Sequence, residues 1–112
     1  MNDLTKQKCV PCEGGDFPAL NQVEAEAMLG NDAGHDWTLS YDAKSISQKF
    51  IFADFKHALE FVNKVGAVAE TEGHHPDINL HDWKKVTLRL STHAINGLSD
   101  NDFILAAKID NI

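Results

Sequence analysis

The sequence predicts an α+β domain of two layers, a four-stranded antiparallel sheet with helices packed on one face, in the order α-β-β-α-β-β-α. Three observations predict it. Residues 37–52 and 78–90 each hold two runs of apolar–polar alternation joined by a short polar link, the pattern of a β-hairpin. Between them runs the longest helical stripe in the chain, wide enough to pack on a sheet. Shorter helical patterns precede the first hairpin and follow the second. Strands in hairpins with helices collected on one side form a two-layer α+β architecture.

Each element has its own signal. Residues 1–16 are polar and Gly-rich and read as a flexible N-terminal segment, leaving residues 17–112 as the single folded domain. Pro18 suits the first turn of a helix to about Leu29, with Leu20, Val23 and Ala27 as its apolar stripe and Gly30 as its cap. Trp37, Leu39 and Tyr41 alternate with Thr38 and Ser40 as a half-buried strand. Asp42-Ala43-Lys44 turns the chain, and Ile46, Gln48, Phe50 and Phe52 share one side of the next strand, Gln48 interrupting it. Asp54 caps the central helix. Phe55, Ala58, Leu59, Val62 and Ala69 form its stripe, widened by Phe61, Val65 and Val68, with an edge left over for a partner. Gly73 ends it. Ile78 and Leu80 mark a short third strand ending near Trp83, Lys84-Lys85 a tight turn, and Val86, Leu88 and Leu90 the fourth strand. Ser99 and Asp102 have the spacing of a capping box for a last helix carried by Phe103, Ala106, Ala107 and Ile109.

Composition narrows the function. A chain of 112 residues is one domain that buries roughly two thirds of its unfolded surface. The 17 acids against 10 bases, a net charge of −7, oppose non-specific nucleic-acid binding and adhesion to anionic membranes. No apolar run approaches the ~20 residues of a membrane-spanning helix, and the first residues lack an apolar signal core, so the expectation is a cytoplasmic protein. Cys9-Val-Pro-Cys12 has redox spacing, but a polar leader and Glu13-Gly14-Gly15 replace the strand and helix that a redox motif needs. It reads as a surface segment; a metal clip or an adventitious disulfide are the other readings.

The chemistry concentrates in histidines. His74-His75 stands before Pro76 at the end of the central helix, and His93 follows the last strand. His75, preceding a proline, is held extended. The negative end of the helix dipole favours charged imidazoles there, and Glu70 and Glu72 act in the same direction. Such groups are placed to give and take protons near neutral pH. If the two hairpins pair at the sheet centre, His93 comes toward His74. A zinc shell is the competing reading, but adjacent residues of an extended chain point apart, so His74 and His75 chelate one ion poorly. Asp77, Asp82 and Asp102 can orient imidazoles or serve only as turn and cap residues. His35, His57 and His81 read as ordinary surface or core residues.

Glu70-x-x-x-His74-His75-Pro76, then six residues, Trp83, nine residues, His93, eight residues and Asp102, resembles the signature of the pterin-4a-carbinolamine dehydratases. Phe55, Ala58 and Phe61, the run Leu90-Ser91-Thr92-His93 and Gly97-Leu98-Ser99-x-x-Asp102 resemble that family too, and the likeness covers about residues 20 to 110. It implies a lyase that dehydrates a 4a-hydroxytetrahydropterin to the quinonoid dihydropterin, recycling the pterin of aromatic amino-acid hydroxylases without metal or cofactor. It implies His74 and His93 as the proton-transfer groups, and His75, Ser91, Thr92 and Trp83 as substrate-binding residues. Glu70 and Asp102 are implied as supports. It implies a homodimer or homotetramer and a metabolic link to a phenylalanine hydroxylase, without deciding between that and molybdopterin metabolism. A non-catalytic interaction protein of the same fold is the alternative.

Overall fold

The structure, a computed structural model, describes residues 19–31 and 37–112. The leader 1–16, Cys9, Cys12, Pro18 and His35 lie outside the described residues.

The elements follow the expected order: α1 (Gln22–Asn31), β1 (Thr38–Leu39), β2 (Ile46–Ile51), α2 (Phe55–Glu72), β3 (Asp77–His81), β4 (Lys85–Leu90) and α3 (Asp100–Asp110). The sheet has the order β1-β2-β4-β3, antiparallel throughout. The two hairpins therefore meet through β2 and β4, and β1 and β3 are its edges.

The pleat divides the sheet by chemistry. Ile46 pairs with Leu90, Gln48 with Leu88 and Phe50 with Val86; Ile78 and Leu80 continue that face through Leu88 and Val86. Ile46, Val86, Leu88 and Leu90 are fully buried. The opposite face carries Ser47, Lys49, Asn79, Lys85, Thr87 and Arg89 and is mostly polar, with Ile51 exposed at its end. Gln48 interrupts the apolar face as expected, and its Oε1 is buried without a hydrogen-bond partner among the described residues.

Helix α2 lies against β3, β4 and α3. Ala58, Val65 and Ala69 are buried, and Phe61 stacks between Phe50 and Phe52 with ring centroids 4.6 and 5.0 Å away. Phe55 and Leu59, on the same stripe, remain 49% and 42% exposed, so α2 keeps an open apolar edge. Asp54 caps it by accepting the His57 N–H, and Gly73 ends it at φ 67 with its N–H on the Ala69 carbonyl. Helix α3 is buried from Asn101 to Ala107, around its whole circumference, as suits a helix in the middle of a core. Trp37 Nε1 donates to the Asp110 carboxylate at 3.0–3.1 Å, tying the end of α3 to the start of β1.

Four local expectations are corrected. Helix α1 starts at Gln22, because Asn21 and Glu24 cap it reciprocally at 2.8 and 3.0 Å. It continues through Gly30 to Asn31, so Gly30 does not end it. Strand β1 is only two residues long and Tyr41 is fully exposed, because Ser40 folds the chain back. Its hydroxyl accepts from the Lys44 and Ser45 N–H groups and donates to Asp42. The β3–β4 turn is built on Asp82 and Trp83, both at positive φ, and Lys85 already belongs to β4.

Candidate active site

The site forms where three chain ends converge. Gly73 turns α2 into His74-His75-Pro76, and β3 begins at Asp77. The antiparallel register sets Asp77 opposite Arg89, which brings the bend before β3 beside Ser91-Thr92-His93 after β4. A 3-10 turn over His93–Ile95 follows, closed by the Thr92–Gly97 bridge with Asn96 left-handed at φ 52. Helix α3 then enters with Ser99 as its N-cap residue and Asp102 in its first turn.

Asp102 joins these ends. Its carboxylate has no exposure. Oδ1 lies 2.6 Å from His74 Nε2, within hydrogen-bonding distance. Oδ2 accepts from the Thr92 hydroxyl at 2.8 Å and from the Ser99 N–H at 3.0 Å. Thr92 Oγ1 lies 2.7 Å from Ser99 Oγ. Both oxygens of this buried carboxylate thus have partners, and the N-terminus of α3 lies close to it.

The partner of Glu70 is His75, at 2.6 Å on the surface. Glu72 meets Lys108 of α3 at 2.8 Å and so braces the two helices against each other.

His93 is exposed at the start of the 3-10 turn. It lines a cavity of about 250 Å³ with Asp42, Lys44, Arg89, Ser91, Thr92, Asn96 and Gly97. The Ser40 hydroxyl and the Lys44 backbone N–H hold the Asp42 carboxyl below its ordinary range. Arg89 is paired with Asp77 at 3.3 Å. Neither His74 nor His75 lines this cavity; His74 is joined to it through Asp102 and Thr92. Among the described residues no three His, Cys, Asp or Glu side chains gather as a metal site requires.

Two expected substrate contacts lie differently. Thr92 is 4% exposed; its N–H bonds to Gly97, its carbonyl accepts from Ile95 and Gly97, and its hydroxyl serves Asp102. Its polar groups are engaged within the chain. Trp83 stands at the far tip of the β3–β4 hairpin, 58% exposed with Lys84 Nζ 5.0 Å from its ring, one strand length or roughly 15–20 Å from the bend at His74. The fold does not bring it to His74 of the same chain. Arg89, Asn96, Asp42 and Lys44 are cavity residues that spacing alone did not single out; the outward alternation of Arg89 at the end of β4 was the available signal.

The arrangement is one of imidazoles braced by carboxylates, suited to moving protons. The family profile described as Pterin 4 alpha carbinolamine dehydratase matches residues 18–112. A chain from Aromatoleum aromaticum, named for the same dehydratases, is 47% identical over 112 residues, 99% of this chain and 96% of that one. Pterin-4-alpha-carbinolamine dehydratase 2, mitochondrial, of Arabidopsis thaliana is 41% identical over 112 residues, the whole of this chain and 60% of that protein. The solved structure of a transcriptional coactivator/pterin dehydratase from Brucella melitensis superposes with a TM-score of 0.74 at 27% identity, covering 83% of this chain and 96% of that one. A pterin dehydratase-like RuBisCO assembly factor of the α-carboxysome shares the fold, with a TM-score of 0.58 at 21% identity over 70% of this chain and 93% of that one. Fold and sequence thus place the chain among α+β domains of the pterin dehydratase type. The chain belongs to the pterin 4 alpha carbinolamine dehydratase family.

Proposed function

We propose that the protein is a hydro-lyase that dehydrates a 4a-hydroxytetrahydropterin to the quinonoid dihydropterin. In that reaction the C4a–O bond breaks, the N5 proton is removed, a C4a=N5 double bond forms, and the hydroxyl leaves as water after gaining a proton. One group must accept a proton and one must deliver one. The observation that carries the reading is His74, held by the buried Asp102 carboxylate and linked through it to Thr92, the neighbour of His93. His74 and His93 are the proton-transfer groups in this proposal. His75, steadied by Glu70, binds substrate, and Ser91 lines the cavity beside His93. No metal or redox cofactor enters the scheme. General acid–base assistance of this kind contributes about 10²–10⁴-fold.

The protein acts in this reading as a homodimer or homotetramer, in the cytoplasm, serving an aromatic amino-acid hydroxylase. The exposed Phe55 and Leu59 on α2 and the unpaired edge of β3 support self-association. The same surfaces support the alternative, a non-catalytic interaction protein of this fold. The deciding experiment follows 4a-hydroxytetrahydropterin dehydration by wild type, His74→Ala and His93→Ala. Acceleration by wild type that collapses in both variants is expected. A wild-type rate equal to the spontaneous one would leave the interaction reading in possession.

A further inference from the structure

We propose that Thr92 and Ser99 are positioning residues for His74, acting through Asp102, and that they leave Nδ1 as the ring nitrogen that exchanges protons with substrate. The catalytic half of this inference rests on the dehydratase reading; the tautomer half does not.

The argument is one of hydrogen-bond direction. A carboxylate only accepts, so the contact at 2.6 Å places a proton on His74 Nε2. In a neutral imidazole Nδ1 is then the unprotonated nitrogen. The tautomer lasts only while the Asp102 carboxylate keeps its orientation. Its Oδ2 is saturated from two sides, by the Thr92 hydroxyl at 2.8 Å and the Ser99 N–H at 3.0 Å. Rotating the carboxylate would break both. Thr92 has one hydroxyl proton and spends it on Asp102, so the 2.7 Å contact with Ser99 is donated by the Ser99 hydroxyl. The chain of donors runs in one sense, from Ser99 through Thr92 to Asp102, with His74 donating from the other side. Thr92 is 4% and Ser99 7% exposed, so water does not readily replace either donor. The two residues are anchored on different elements, the end of β4 and the cap of α3, which fixes the distance the carboxylate must span.

The test pairs a spectrum with kinetics. Two-bond ¹H–¹⁵N spectra of ¹⁵N-histidine-labelled protein identify the His74 tautomer, with His74→Gln assigning its signals. The expected result is Nε2-protonated His74 in wild type and in Thr92→Ser, and a mixture of tautomers in Thr92→Val, which keeps the shape of threonine without its donor. In the dehydration assay Thr92→Val loses about ten- to a hundredfold in kcat with KM within about twofold, and Thr92→Ser recovers most of that loss. Ser99→Ala keeps the backbone donor to Asp102 and loses less, about three- to tenfold; it carries the test if Thr92→Val does not fold. An Nδ1-protonated His74 in wild type, or wild-type tautomer and kcat in both Thr92→Val and Ser99→Ala, overturns the proposal. If wild type shows no dehydration, the dehydratase reading falls, and the spectra alone decide the positioning claim.

Discussion

His74 Nε2 lies 2.6 Å from Oδ1 of Asp102, a carboxylate buried to zero exposure twenty-eight residues further along the chain. The pair joins the end of α2 to the start of α3, so in the proposed reaction one contact serves both the chemistry and the fold. Asp102→Asn keeps the shape but exchanges an acceptor for an amide that presents a donor to one of its neighbours. The expected outcome is a loss of about 10²-fold or more in kcat, with unfolding free energy lower by about 2–3 kcal/mol. Steady-state kinetics and urea denaturation measure the two separately. Unchanged kcat in a folded variant would remove Asp102 from the mechanism.

Glu72 and Lys108 form the second link between α2 and α3, at 2.8 Å, with side chains 4% and 17% exposed. Pairs on the open surface couple by about 0.2–1 kcal/mol. This one is shielded from solvent, so a double-mutant cycle with Glu72→Gln and Lys108→Met should give a coupling energy above about 1 kcal/mol. A value near zero, read from chemical denaturation, would make the contact incidental.

Gly73 stands at φ 67, and a Cβ built there meets no atom within 4 Å. The cost of a side chain is therefore conformational and not steric. Gly73→Ala should lower stability by about 1 kcal/mol, and Gly73→Asn by less, because asparagine tolerates the left-handed region. The same bend aims His74, so Gly73→Ala should also reduce dehydratase turnover more than its stability loss explains. Equal stability of the alanine and asparagine variants would contradict the conformational account.

Asp54 caps α2, accepting the His57 backbone N–H at 2.8 Å and the His57 ring at 2.6 Å; these bonds hold its carboxyl below its ordinary value of 3.8. The folded value is the lower one, so the stabilisation is complete above the unfolded value and is lost as pH falls through the folded one. Asp54→Ala should therefore melt below wild type, with a gap that persists at about pH 5 and closes below about pH 4. Thermal melts at a series of pH values check it; a gap that widens in acid would reverse the sign.

Much of the architecture was legible in residue order. Alternation in Val86, Leu88 and Leu90, the wide stripe from Phe55 to Ala69, and the stop at Gly73 report local geometry, because side-chain periodicity is set by the backbone of each element alone. Signals that depend on one competing contact are less legible. The helix start moved from Pro18 to Gln22 because the Asn21–Glu24 pair is a better cap, and β1 shrank because the Ser40 hydroxyl draws the chain into its turn.

The site divides the same way. Residue order alone marks His74, His75 and His93 as candidates; the family resemblance adds Asp102 and the spacing that relates them. Which acid serves which histidine was left to the fold: Asp102 holds His74, Glu70 holds His75, and Glu72 braces Lys108. The resemblance implies substrate contacts for Thr92 and Trp83; in the fold the Thr92 hydroxyl turns inward to Asp102, and the hairpin carries Trp83 to the opposite end of the sheet. Composition and spacing determine which groups are available and on which element each rides. Only the pairing of β2 with β4 and the docking of α3 decide which of them come within 3 Å, because hydrogen bonding is short-ranged and directional, and the order of residues along the chain does not encode either property.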